Sequence, residues 1–273
     1  MHCPPEEFGF QSSSHCQLYV TFQLAALEDK VYVMHKVSNR IHVYNISKPF
    51  SILEWFTVKD FKSPHDVAAC AISNCLYVTD LETRCIWKIV PSDRQATRWL
   101  SNLEEPFTLS VSNDGRVIVP RDGQPSFVEI YNSYSVLIQS VQLPEQIQHP
   151  KRAIETPTGN VILLHRCSNH SVIVLSEVTK NGDIVHRFLS GDEGEVLNDG
   201  CRLAIILNED FIEENSQVAV IDCDNSKVII FNSELNIHNV MNSDKWRRCL
   251  REWNCRWIVV DTNVRISKEN QIA

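Results

Sequence analysis

Glycine is scarce in this chain of 273 residues, which has only 8 of them. None falls in a phosphate-cradling pattern, and no G-x-S-x-G elbow occurs, so neither a nucleotide loop nor a serine-hydrolase nucleophile has a motif. No apolar run approaches the ~18 residues that a spanning helix needs. The first residues, Met1 to Ser14, carry Glu6, Glu7 and two prolines without an apolar stretch, so a secretory leader is not expected. A basic excess is missing too. With 26 Lys and Arg against 34 Asp and Glu the formal charge is −8, which opposes general binding to a phosphate backbone.

Cysteine is plentiful, with 10 residues, but no C-x-x-C pair occurs, so a zinc site has no sequence support. Cys70 and Cys85 sit inside apolar runs (VAACAIS and RCIWKIV), where a thiol behaves as a small hydrophobe. Without a leader the expectation is a reduced, cytoplasmic protein, and sequons at Asn45 and Asn169 then carry no meaning. The 43% hydrophobic and 22% charged content fits one globular domain.

What is present is a repeat. Short β-branched runs begin at Val31 (VYVMH), Leu76 (LYVTD), Val117 (VIVPR), Val161 (VILLH), Val218 (VAVID) and Trp257 (WIVVD), spaced by 45, 41, 44, 57 and 39 residues. That is the period of a four-stranded propeller blade. Another apolar segment precedes each run: FQLAAL, DVAACAIS, FTLSVS, KRAIET, CRLAIIL and RRCLRE. Turns such as Asn113-Asp114-Gly115 and Thr158-Gly159-Asn160 separate the two, as hairpins that need a positive φ require. A third strand follows (RIHVYNI, CIWKIV, FVEIYN, SVIVLSE, KVIIFNS), and a fourth in most units (ILEWFTV, VLIQSVQL, DIVHRFL). Pro64, Pro106 and Pro150 stand before first strands and are expected in the connections between blades. The expectation is an all-β, six-bladed propeller of four-stranded antiparallel blades over residues 14–267, with flexible ends at 1–13 and 268–273. The sixth unit, Trp246 to Ser267, shows three strands, so an N-terminal strand at Cys16 to Val20 is expected to close the ring.

The unit VAVIDCDNSKVIIFNSELN resembles the NHL repeat, in which an apolar strand ends in Asp and is followed by a polar turn, a basic residue and a second strand. Asp222, Asn225 and Lys227 take those places, and LYVTD with Arg84 and the Asn39-Arg40 pair match in part. The chain, through SPHDVAACAISNCLYVTD and CIWKIV, also resembles uncharacterised invertebrate NHL-like proteins and the C-terminal propellers of tripartite-motif proteins. Arg121 and His165 depart from the pattern where Asp is expected. The physical role of that Asp is expected to be local, its carboxylate accepting backbone N–H bonds in the next turn.

First-strand starts should approach the central channel, and they hold Thr21, Asp66, Phe107, Arg152, Arg202 and Arg247 or Arg248. One Asp among arginines makes a poor calcium site, since calcium takes roughly 6–8 oxygen ligands. Adjacent strand residues point to opposite faces, so His65 and Asp66 are not expected to act together. No enzyme activity, metal or cofactor is expected. The loop face should carry the candidate binding residues Arg84, Arg121, Arg152, Arg202, Lys227, Arg247 and Arg248 among acids such as Asp66, Asp80, Glu82 and Asp122. The opposite face should be acidic through Glu28, Asp29, Asp114, Asp183 and Glu234.

The function expected is therefore a non-catalytic, monomeric platform that binds a protein partner. KWRRCLREWNCRW, from Lys245 to Trp257, interleaves five basic residues with three tryptophans, and raises the alternative of single-stranded RNA binding on the Arg-bearing face. The resemblance to tripartite-motif propellers, some of which bind RNA, implies the same. A further alternative is substrate recognition beside a separate ubiquitin ligase, since the chain has no RING or B-box pattern of its own.

Overall fold

A computed structural model describes residues 22–35, 39–45, 51–166, 173–189, 191, 197, 201–206, 217–222, 227–242 and 262–264. Nearly all of the described chain is strand and tight turn. In sequence order it lays down five antiparallel meanders, each with its four strands hydrogen-bonded in chain order.

The first sheet holds β1 (Phe22–Leu27), β2 (Lys30–His35), β3 (Arg40–Asn45) and β4 (Ser51–Thr57), and the second β5 (Pro64–Cys70), β6 (Cys75–Asp80), β7 (Cys85–Val90) and β8 (Gln95–Leu100). The third holds β9 (Ser110–Val111), β10 (Val117–Arg121), β11 (Phe127–Tyr131) and β12 (Leu137–Gln142). In the fourth are β13 (Gln148–Glu155), β14 (Val161–Arg166), β15 (Ile173–Val178) and β16 (Ile184–Leu189). The fifth has β17 (Arg202–Ile206), β18 (Gln217–Asp222), β19 (Lys227–Phe231) and β20 (Ile237–Asn242), with β21 (Thr262–Val264) running parallel to β17.

Alternation along a strand sends neighbouring side chains to opposite faces, and here both faces are covered. In β6, Leu76 and Val78 join a core shared with Ile41, Val43 and Phe56 of the first sheet. Cys75 and Tyr77, which alternate with them in sequence, join a core with Leu109, Val117 and Val119 of the third. The third and fourth sheets meet through Ile118, Ile130, Ala153 and Leu163, and the fourth and fifth through Ile162, Leu164, Val218 and Val220. Each core therefore lies between two successive sheets, which is the packing of a propeller. First strands touch the first strands of the next sheet, β1 against β5, β5 against β9, β9 against β13 and β13 against β17, so they line the inside. Outer strands are wetter: Trp55 on β4, Leu137 and Ile138 on β12 and Val185 on β16 are exposed.

Two expectations are corrected. Among the described residues five sheets stand where six were expected. Of the sixth unit, Trp246 to Ser267, the described strand is β21, and its backbone pairs with the inner edge of β17 rather than within a sheet of its own. An unpaired sheet edge is a template for such an added strand. The rest of that unit and the closing strand at Cys16 to Val20 lie outside the described residues. Two of the three prolines also differ from expectation: Pro64 and Pro150 lie inside β5 and β13, whereas Pro106 lies between β8 and β9. Both strands break register there, between Pro64 and Asp66 and between Gln148 and Arg152. A bulge removes the ladder bond that proline cannot donate. Among the described residues no helix is long and apolar enough to cross a membrane.

Candidate functional site

The two bulges set the channel-side chemistry. A bulge re-aims the residues beside it. After the first, Asp66 turns inward and is fully buried. After the second, Arg152 reaches over from the fourth sheet and places Nη1 at 3.1 Å from Asp66 Oδ2 and Nη2 at 3.2 Å from Oδ1. The backbone N–H of Leu109 donates to Asp66 Oδ2 at 3.2 Å, and the N–H of Asp66 donates to Thr79 Oγ1 at 3.0 Å. A buried carboxylate needs such a full set of donors, because burial strips the water from its charge. Sheets two and four are thus joined across sheet three. His65, the unpaired residue of the bulge, has its Nδ1 2.6 Å from the Phe107 carbonyl, and its ring packs edge-on against Phe107.

One residue along, at the ends of the second strands, the position expected to hold Asp behaves as its chemistry dictates. Asp80 is fully buried and accepts three backbone N–H bonds, from Lys62 (2.8 Å), Ser63 (3.2 Å) and Thr83 (3.0 Å). It ties the following turn, as expected, and also the connection from the previous sheet. Where this Asp is replaced, other partners appear. His165 is buried between the Arg166 carbonyl (Nδ1, 2.9 Å) and Ser176 Oγ (Nε2, 2.8 Å), and burial pushes its pKa down to about 4. Arg121 donates from Nη1 to Glu129 Oε2 at 3.2 Å, and that oxygen also accepts the Tyr131 hydroxyl at 2.8 Å. Burial, then Glu129, push the Tyr131 phenol up.

On the same face a groove of about 1120 Å³ opens between the third and fourth sheets. Its walls are the β10–β11 loop and the β12–β13 connection, with Leu143, Pro144 and Ile147 as an apolar floor. Glu105, Asp122 and Glu145 line it with His149, whose Nδ1 is 2.6 Å from Asp122 Oδ2, and no Lys or Arg contributes. Sequence reasoning missed this groove. Asp122 and His149 are 27 residues apart and meet only because successive sheets lie side by side.

The basic candidates scatter. Arg84 is exposed at the β6–β7 turn with φ of 51°. Arg121 and Arg152 are engaged with carboxylates, and Lys227 is half-buried at the start of β19. Arg202 opens β17, while Arg247, Arg248 and Thr21 lie outside the described residues. Structure therefore brings Arg152 to Asp66 but gathers no arginine cluster among the described residues. On the opposite face Glu28, Asp29, Asp114, Asp183 and Glu234 are exposed, as the repeat implies. Asp114 there pairs with Arg116, which also holds the buried Glu155. Burial nevertheless raises the Glu155 pKa above its ordinary value. Among the described residues no three of His, Cys, Asp and Glu gather to hold a metal.

No protein-family profile matches the chain, and no curated protein matches it in sequence. Solved structures do. A chain of the nidogen–laminin complex superposes with a TM-score of 0.58 at 11% identity, covering 90% of this chain and 84% of that one. A protein of unknown function from Bacteroides caccae gives 0.55 at 14% identity, over 78% and 72%. Hydrazine synthase of Kuenenia stuttgartiensis gives 0.54 at 13% identity, over 84% and 71%. Likeness at such identity is likeness of fold, and the fold is a β-propeller.

Proposed function

We propose that the chain is a non-catalytic binding propeller, and that the groove between its third and fourth sheets takes an extended segment of a partner protein. The groove itself carries this reading. It is large, has an apolar floor, and is rimmed by Glu105, Asp122 and Glu145 with His149 but no Lys or Arg, so the segment it suits carries Lys or Arg. Opposite charge at a rim steers encounter and fixes register. That one of the similar folds belongs to a nidogen–laminin complex fits a protein partner. Asp66 fits a non-catalytic reading, because Arg152 and the Leu109 N–H already hold its carboxylate. The test is capture of partners on the immobilised chain, with Asp122→Lys and Glu145→Lys beside Glu234→Lys on the far face. The two groove variants are expected to lose the partner that Glu234→Lys retains. An unchanged partner set, or a hydrolase activity that disappears with Asp66→Asn, would sink the proposal.

Single-stranded RNA binding is the second reading, and exposed Arg84 is the observation that favours it. Binding through arginine–phosphate contacts weakens steeply as salt rises, because counterions are released. Random single-stranded RNA that fails to bind at low salt would remove this alternative. Recognition of substrates for a separate ubiquitin ligase is a special case of the protein-binding reading and is tested by the same capture.

A further inference from the structure

The cysteines were expected to be reduced, and Cys70 and Cys75 are free thiols that the fold brings face to face. Cys70 ends β5 and Cys75 opens β6, and in the antiparallel ladder they are direct partners on the last rung before the turn. Partners opposite one another project from the same face. Both belong to the core shared with the third sheet, so their sulfurs share one side. Residues directly opposite in an antiparallel pair have Cα atoms roughly 4.5–5.5 Å apart. A disulfide spans Cα separations of about 4.4–6.8 Å. Interaction between the two side chains lowers the Cys70 pKa and, together with burial, raises that of Cys75. Gly115 of the next sheet leaves room, since a Cβ there would lie 3.4 Å from the Cys70 sulfur.

We propose that Cys70 and Cys75 form a peroxide-sensitive dithiol that closes to a cross-strand disulfide. The oxidant is a peroxide, small enough to follow water. The Cys70 sulfur attacks one peroxide oxygen and the O–O bond breaks. The departing hydroxide takes up the thiol proton as water, leaving a sulfenic acid on Cys70. The Cys75 sulfur then attacks the Cys70 sulfur, the S–O bond breaks, and the leaving hydroxide takes the Cys75 proton as a second water. Two electrons pass from the two thiols to the peroxide. Both thiols are buried, at 1% and 0% exposure, so access comes through the hairpin end, where Ile72 is 66% exposed. The last rung of a ladder opens more readily than its middle. Cys85 and Cys201 are also buried thiols outside any disulfide, and they serve as internal controls.

The test is peptide mapping of the folded full-length chain after hydrogen peroxide, with alkylation under denaturing conditions and no reductant. Trypsin releases residues 63–84 as one peptide holding Cys70 and Cys75 and no other cysteine. It is expected to lose two hydrogens in mass, to resist alkylation, and to recover both alkylation sites after reduction. Cys85 and Cys201 stay alkylated at the same dose. In Cys75→Ser the sulfenic acid on Cys70 has no resolving thiol and is expected to be trapped by dimedone. A wild-type peptide alkylated at both sulfurs after peroxide overturns the proposal, as does sulfonic acid on Cys70 beside an untouched Cys75. The wild-type map decides this even if the variant fails to fold.

Discussion

Asp80, Arg121 and His165 stand at the ends of second strands, each with its own partners. Asp80 accepts three N–H bonds. Asp80→Ala leaves those donors unmatched and is expected to cost about 2–4 kcal/mol in denaturant unfolding. His165 fills the same place as a neutral ring, with consequences for pH. Its folded pKa of about 4 lies below the ordinary 6.5, so the unfolded chain binds the proton first. Stability from this residue is complete above pH 6.5 and drains away as pH falls toward 4, by roughly 3 kcal/mol in all. Glu155, raised by burial, contributes with the opposite sign, its effect growing as pH rises past its ordinary value. Unfolding of His165→Gln beside the wild type across this window isolates the histidine: the variant is expected to lose the slope. Arg152→Ala strands a buried carboxylate and should cost about 3–5 kcal/mol, read by the same denaturation. The bond of Asp80 to Thr83 could be read from sequence, because Asp before a turn is a local device, but its bonds to Lys62 and Ser63 could not. The pairing of Asp66 with Arg152 could not, because it joins residues 86 apart.

Strands were the most legible elements. FQLAAL, LYVTD and VILLH emerge within a residue of the bounds their alternation implies, since a strand buried on both faces writes a continuous apolar run. FTLSVS is the exception, with only Ser110–Val111 paired as β9. The hydroxyls of Thr108 and Ser110 donate instead to the Lys151 and Ala153 carbonyls of the neighbouring sheet, at 2.5 and 2.6 Å. Such a preference for a distant carbonyl over the local ladder has no signature in composition. Turns followed sequence closely: Gly115 and Gly159 take φ of 82° and 84° in the hairpins where glycine was read as the signal. The glycines differ in their surroundings, which makes a paired test. A Cβ at Gly159 meets nothing within 4 Å, so Gly159→Ala is expected to carry only the backbone strain of about 1–2 kcal/mol. A Cβ at Gly182 would sit 2.5 Å from the Gln142 carbonyl oxygen, so Gly182→Ala must also push two sheets apart and should cost visibly more in thermal unfolding.

For the whole molecule, the period of the repeat announced the propeller, because only radial packing buries both faces of so many short sheets. It overstated the number of sheets, counting Trp246 to Ser267 as a unit where β21 instead extends the fifth sheet. The groove was illegible for the opposite reason: it belongs to no single repeat, only to the seam between two. The clasp of Arg152 on Asp66 has a mechanical outcome at this scale. A spoke can normally loosen without its neighbours, but here the third is strapped in by an arm passing from the fourth to the second. Amide exchange in those three should therefore share one opening free energy, and cutting the strap with Arg152→Ala should let the middle spoke breathe alone.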